Sequence, residues 1–342
     1  MSEAIESFLT DQAYYGKSER TLAAYERVLE DFATFLEDPD RGPGATTPAA
    51  AERRDCMAWV HTLRGDHSES TVATYTAYVH RFYAYMVQIG AFDANPMAVV
   101  TDEIDETIDK DPTRRDITVA AMREFVADIT HPLDRALVMT LLKTGMRVGE
   151  LCNLDRRDLA LGHRLDGPDT RGILDGRTPA IYVPPNGAFK QDRVAANKRQ
   201  RGTIIPVDNE LRRTLLRWLA LRPDPSDAAD PVFVSTKGQW GRRIRPEAVR
   251  RVVRSYAEPR GWYEQGAGAG ENVTPHYFRH FFTTHLRDRT GDRGIVKYLR
   301  GDVAEDIIDT YTHNWGDRVR ELYERHIYAL EATSHTGSQR RV

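Results

Sequence analysis

Residues 274–280 read Thr274-Pro-His-Tyr-Phe-Arg-His280, and they open a segment patterned as a helix over Pro275–Asp288. Thr274 suits the N-cap, and Pro275 suits the first turn, where a missing N–H costs nothing. His276 and Arg279 are spaced i,i+3 and so share one face of that turn. Backbone N–H groups point outward at such an end, which favours an anion such as a phosphate. A capping histidine beside a surface cation explains the same segment equally well.

Working outward, Thr144-Gly-Met-Arg-Val-Gly-Glu-Leu151 places Arg147 after a glycine-containing break, with Glu150 one turn on to orient its guanidinium. Taken alone, an i,i+3 Arg–Glu pair is most often an ordinary surface ion pair. Lys198 stands in Asn197-Lys-Arg-Gln-Arg-Gly-Thr-Ile-Ile-Pro206, between the β-prone stretches Ile181–Val183 and Thr203–Val207, which suggest a long hairpin. Tyr311, in Asp309-Thr-Tyr-Thr-His313, is one of 15 tyrosines and is unexceptional by type. No single element decides a function.

Their order does. Arg147, then Lys198 in a β-hairpin, then His276-x-x-Arg279, then Tyr311 resembles the tyrosine recombinase (phage integrase) family. LLKTGMRVGEL, TPHYFRHFFTTHL and the Tyr-Thr-His ending extend the match. Lys198 precedes Pro206 by eight residues, the spacing found in members with a shorter Gly-Lys-Gly hairpin. SERTLAAYERVLEDFATFL and GAFDANP resemble the family's core-binding helices, so the likeness covers residues 4–330. It implies a mainly α chain of two domains. The first is an all-helical, SAM-like core-binding domain. The second is an α+β catalytic domain with a small antiparallel sheet, the DNA breaking-rejoining fold.

One position departs from the family pattern. Members commonly carry Leu-Gly-His, with the tyrosine nine residues after that histidine. Here Tyr298-Leu-Arg-Gly-Asp302 puts an aspartate in the place of a His or Trp, nine residues before Tyr311. A carboxylate accepts hydrogen bonds and cannot donate to phosphate unless protonated. Asp302 is expected to hold Arg147, Arg279 or His276, or to accept a bond at the edge of the site.

The resemblance implies a site-specific recombinase that cuts and rejoins DNA through a 3′-phosphotyrosine, with neither metal nor nucleotide cofactor. Arg147 and Arg279 would clamp the non-bridging oxygens, Tyr311 would attack, His276 would accept its proton, and Lys198 would protonate the leaving 5′-oxygen. Expected partners are double-stranded DNA with a specific site and further copies of the chain, a tetramer in the synaptic complex. A non-catalytic DNA-binding accessory factor on the same scaffold is the alternative, with Asp302 as the sign of decay. A type IB topoisomerase is a third reading, disfavoured by the N-terminal helices.

Composition agrees with a nucleic-acid partner. The 342 residues suit two domains. The net charge of −3 hides a division at Lys110: residues 1–110 hold 9 basic and 20 acidic side chains, a net of −11, leaving 39 and 31 afterwards, a net of +8. Of 48 cations only 7 are lysine, and arginine's planar fork suits phosphate. The same bias with an acidic first domain (8 basic and 15 acidic over residues 1–96) suggests a salt-loving, archaeal or viral source. Arg20, Arg27, Arg53, Arg54, Arg64 and Arg81 are the cations of that domain expected to face the duplex.

Apolar periodicity predicts helices from Ser18, around Met57–Leu63 and from Ser70. The organisation read is residues 1–100, a charged linker over 101–116, a catalytic domain over 117–330 and a polar tail over 331–342. No apolar run reaches the roughly 18 residues of a membrane span. The N-terminus lacks a secretory pattern, and two cysteines make no disulfide scaffold. A cytoplasmic protein is expected. The last helix, over Gly316–Leu330, carries an apolar stripe suited to docking on its own domain or on a neighbouring protomer.

Overall fold

The computed structural model divides the chain into two compact units, Met1–Pro112 and Thr113–Val342. It describes residues 2–107, 113–167, 169–185, 199, 201–226, 229–268, 270–302 and 315–331, without the side chains of 315–317. Residues 303–314, with Tyr311, and the tail from residue 332 lie outside them.

Within the described residues the first unit is all-helical: α1 (Glu3–Tyr14), α2 (Glu19–Glu37), α3 (Arg53–Asp66), α4 (Glu69–Gln88) and α5 (Met97–Glu103). Ser18 caps α2 by accepting the Thr21 N–H, and the stripe Tyr25, Val28, Leu29, Phe32, Phe35 and Leu36 is buried, as its spacing requires. Phe32 meets Trp59 edge-on at 5.1 Å, and the Trp59 indole donates to Asp31 at 3.1 Å, so the ring is packed and its N–H satisfied. Helices α1 and α5 are not evident in the sequence, because α1 buries only Ile5, Phe8 and Gln12 and α5 only Met97 and Val100. The stretch read as a linker thus opens inside α5. It ends on residues hydrogen-bonded within the second unit, where the Arg115 N–H donates to the Gly270 carbonyl at 2.8 Å.

In the second unit, α6 (Val119–Ala127) and α7 (Pro132–Thr144) precede the short α8 (Val148–Cys152). A three-stranded antiparallel sheet follows, β1 (Leu159–Ala160), β2 (Ala180–Val183) and β3 (Thr203–Pro206), with Ile181 opposite Leu159 on one side and Ile205 on the other. The predicted hairpin strands are therefore paired, and β1 is an addition. Helices α9 (Asn209–Leu221), α10 (Pro246–Ala257), α11 (Pro275–Thr290), α12 (Arg293–Arg300) and α13 (Trp315–His326) complete the described elements.

Helix α7 runs through the centre, with every residue from Ala136 to Thr144 buried. That includes Lys143, whose ammonium is neutralised by Asp208 and Glu210 at 2.6 Å each and donates to the Tyr328 carbonyl at 2.6 Å. The last helix is accordingly docked on its own unit: Val319 and Tyr323 of α13 are buried there, followed by Tyr328 and Leu330 of the segment beyond its end, and the Tyr323 hydroxyl donates to the Lys143 carbonyl. Of the two dockings that the stripe allows, this is the one on its own domain.

Candidate active site

Three helix ends build the site. Helix α7 stops because Gly145 adopts φ +61°, and a Cβ there would lie 2.3 Å from the Phe282 ring of α11. The chain then turns so that Arg147 becomes the N-cap of α8. Glu150 takes the Arg147 N–H at 2.9 Å and its Nη1 at 3.2 Å. Glu150 is only 1% exposed, so this is no ordinary surface pair. On its other side sits Arg199, fully buried, with Nη2 donating to Glu150 at 3.2 Å and to the Leu299 carbonyl at 3.1 Å.

Helix α11 starts at Pro275 as expected, with Thr274 at the N-cap position, but the Thr274 hydroxyl makes no capping bond. His276 stays exposed on the first turn, and Arg279, one turn later, points into the protein. Its Nη1 donates to the Gly145 carbonyl at 2.7 Å and to the Arg300 carbonyl at 2.9 Å. Helix α12 ends on Arg300, and Gly301, at φ +71°, turns the chain to Asp302. A side chain at residue 301 would collide with Arg199, so this turn is also closely packed.

Asp302 joins these ends. Its Oδ1 accepts from Arg147 Nη2 at 2.6 Å, its Oδ2 from Arg279 Nη2 at 2.6 Å, and Arg300 Nη2 lies 2.8 Å from the same Oδ2. Of the sequence-predicted residues, Arg147, Arg279 and Asp302 are thus in direct contact, with His276 close enough to feel the same charges. Lys198 and Tyr311 lie outside the described residues. Sequence reasoning passed over Arg300 and Arg199.

The electrostatics follow from this crowding. Partial desolvation acts first on His276, then the guanidiniums of Arg114, Arg279, Arg300 and Arg147, and all lower its pKa, favouring the neutral ring. The direction is the expected one, but partial desolvation and neighbouring cations produce it. Burial, with Arg147 beside it, brings Arg279 down to about 10, still charged at neutral pH. Burial works to raise Asp302, yet Arg279, Arg300 and Arg147 outweigh it and hold the carboxylate below its usual range. It is an acceptor in this arrangement.

Residues 185–316 match the Phage integrase family, and residues 5–90 match the phage integrase N-terminal SAM-like domain. The chain belongs to the phage integrase family of tyrosine recombinases. Tyrosine recombinase XerC of Thermodesulfovibrio yellowstonii is 26% identical over 319 residues, covering 91% of each chain. Tyrosine recombinase XerA of Pyrococcus furiosus is 26% identical over 95% of this chain and 94% of its own. Among solved structures, the integrase of the Tn1549 transposon, in complex with transposon right end DNA, shares the fold at a TM-score of 0.61 and 19% identity, covering 94% of this chain and 98% of that one. A lambda integrase dimer bound to a COC′ core site superposes at 0.61 and 14% identity, covering 96% of this recombinase and 79% of that chain.

Proposed function

We propose that this recombinase breaks and rejoins double-stranded DNA at a specific site through Tyr311, the nucleophile of a 3′-phosphotyrosine intermediate. The Tyr311 oxygen bonds to phosphorus as the bond from phosphorus to the 5′-oxygen breaks. The phenolic proton passes to His276, and Lys198 gives a proton to the departing oxygen, which leaves as a 5′-hydroxyl. Rejoining runs the same steps in reverse with a second strand's 5′-hydroxyl, so the bond energy is kept in the phosphotyrosine and no nucleotide cofactor is consumed.

The observation that carries this reading is the meeting of Arg147 and Arg279 from distant segments on one carboxylate, 2.6 Å from each, beside a histidine held toward neutrality. Displacement at phosphorus is limited by negative charge on the equatorial oxygens, and paired guanidiniums answer that charge with forked donors. The DNA complexes of integrases that share this fold support a duplex as substrate. Synapsis of two duplexes would bring four copies together.

The test is a nicked duplex whose cleaved end diffuses away, trapping the adduct. The full chain is expected to give a covalent complex on a denaturing gel, and Tyr311→Phe none. Adduct persisting in Tyr311→Phe would overturn the nucleophile, and none from the unaltered chain on any site would favour a binding protein.

A further inference from the structure

The carboxylate of Asp302 holds three guanidiniums, of which the strand-transfer scheme uses two. We infer that the third, Arg300, is a further catalytic residue that binds the scissile phosphate directly, an assignment that rests on the strand-cleavage reading.

Exposure separates the three. Arg279 is 2% exposed, with Nη1 committed to two carbonyls, whereas Arg147 and Arg300 are both 29% exposed, as is Asp302 between them. An anion arriving from solvent therefore meets Arg147 and Arg300 first, with Arg279 behind. Arg300 and Arg279 reach the same oxygen, Oδ2, at 2.8 and 2.6 Å, so their nitrogens stand no farther apart than those two contacts laid end to end. A group that hydrogen-bonds Arg279 near Asp302 is thus within reach of Arg300.

Charge balance points the same way. Among the described residues joined by these ion pairs, Arg147, Arg199, Arg279 and Arg300 meet two carboxylates, Glu150 and Asp302, an excess of two positive charges in a partly desolvated place. A phosphodiester brings one negative charge and gains a second as the nucleophile adds. Without Arg300 the excess falls to one. Asp302, held ionised, offers no donor to that phosphate, and Arg300 supplies one from the same turn. An arginine in the last turn of a helix also serves that helix's carbonyl end, so the experiment must separate charge on phosphate from a structural role.

DNA trapped covalently on the full-length chain is sequenced to give the site, and nicked duplexes carrying it are made with a phosphodiester or an uncharged methylphosphonate at the scissile position. Arg300→Gln keeps the stem and removes the charge. Loss of one positioned donor at a reacting centre costs on the order of a hundredfold, and that is the expected slowing of adduct formation on the phosphodiester. On the methylphosphonate the deficit should shrink to about threefold or less, since the charge that Arg300 answers is gone. Arg300→Lys should recover part of the phosphodiester rate. Equal deficits on both substrates would make Arg300 structural, and a rate matching the unaltered chain would remove it from the reaction. Either sinks this inference while leaving strand cleavage intact, whereas no adduct from the unaltered chain sinks both.

Discussion

At the scale of single residues, the site is governed by what one carboxylate can hold. Ionised Asp302 binds three guanidiniums, and Glu150 holds those of Arg147 and Arg199, so each arginine is fixed in place before any phosphate arrives. His276 has no acceptor in the contacts described; partial desolvation and then the surrounding guanidiniums set its state. Because its pKa is lowered from the usual 6.5, the proton-accepting ring persists to a more acidic pH than an ordinary histidine allows. In single turnover the acidic limb of cleavage should have its midpoint below pH 6.5. An acidic limb centred above that value would contradict the assignment of His276 as the proton acceptor.

At the scale of elements, the decisive features are two glycine stops. Gly145 ends α7 and offers its carbonyl to Arg279, while Gly301 ends α12 and delivers Asp302. Gly145→Ala combines an unfavourable φ with a collision against Phe282, and should cost about 2 kcal/mol in denaturant unfolding. It should also slow cleavage, since Arg279 hangs from that carbonyl. Full stability and full activity together would show that the turn relaxes freely. The sequence displays the glycines, and it displays the stripes of α2 and α4. It does not display α1, α5, α8 or β1, because short elements with few buried positions leave too little periodicity to read.

At the scale of the molecule, the two halves differ in charge as the sequence count shows, and Arg20, Arg27, Arg53, Arg54, Arg64 and Arg81 are all exposed on the acidic first unit. Four of these already have partners: Arg64 on Glu106, Arg27 on the Tyr75 hydroxyl at 2.5 Å, Arg53 on Glu103 at 3.8 Å and Arg81 on the Gln12 side-chain carbonyl at 3.5 Å. A duplex must therefore compete with internal contacts for part of this surface. If the arginine bias and acidity reflect a salt-rich source, DNA cleavage should persist in molar KCl. Loss of cleavage at modest salt, with no return at molar KCl, would exclude that origin, because simple counterion competition weakens phosphate contacts steadily.

What the sequence determined by itself was local: helix stripes, the paired hairpin strands, and the order of Arg147, Lys198, His276, Arg279 and Tyr311 along the chain. Patterns of this kind report which face of an element is buried, since their period follows backbone geometry. Only the tertiary structure decided that Glu150 is buried, that the last helix docks in cis, and that Arg300 joins Arg147 and Arg279 on Asp302. Those outcomes depend on how α7, α11 and α12 pack end to end, and convergence of distant side chains has no signature in the spacing of any one segment.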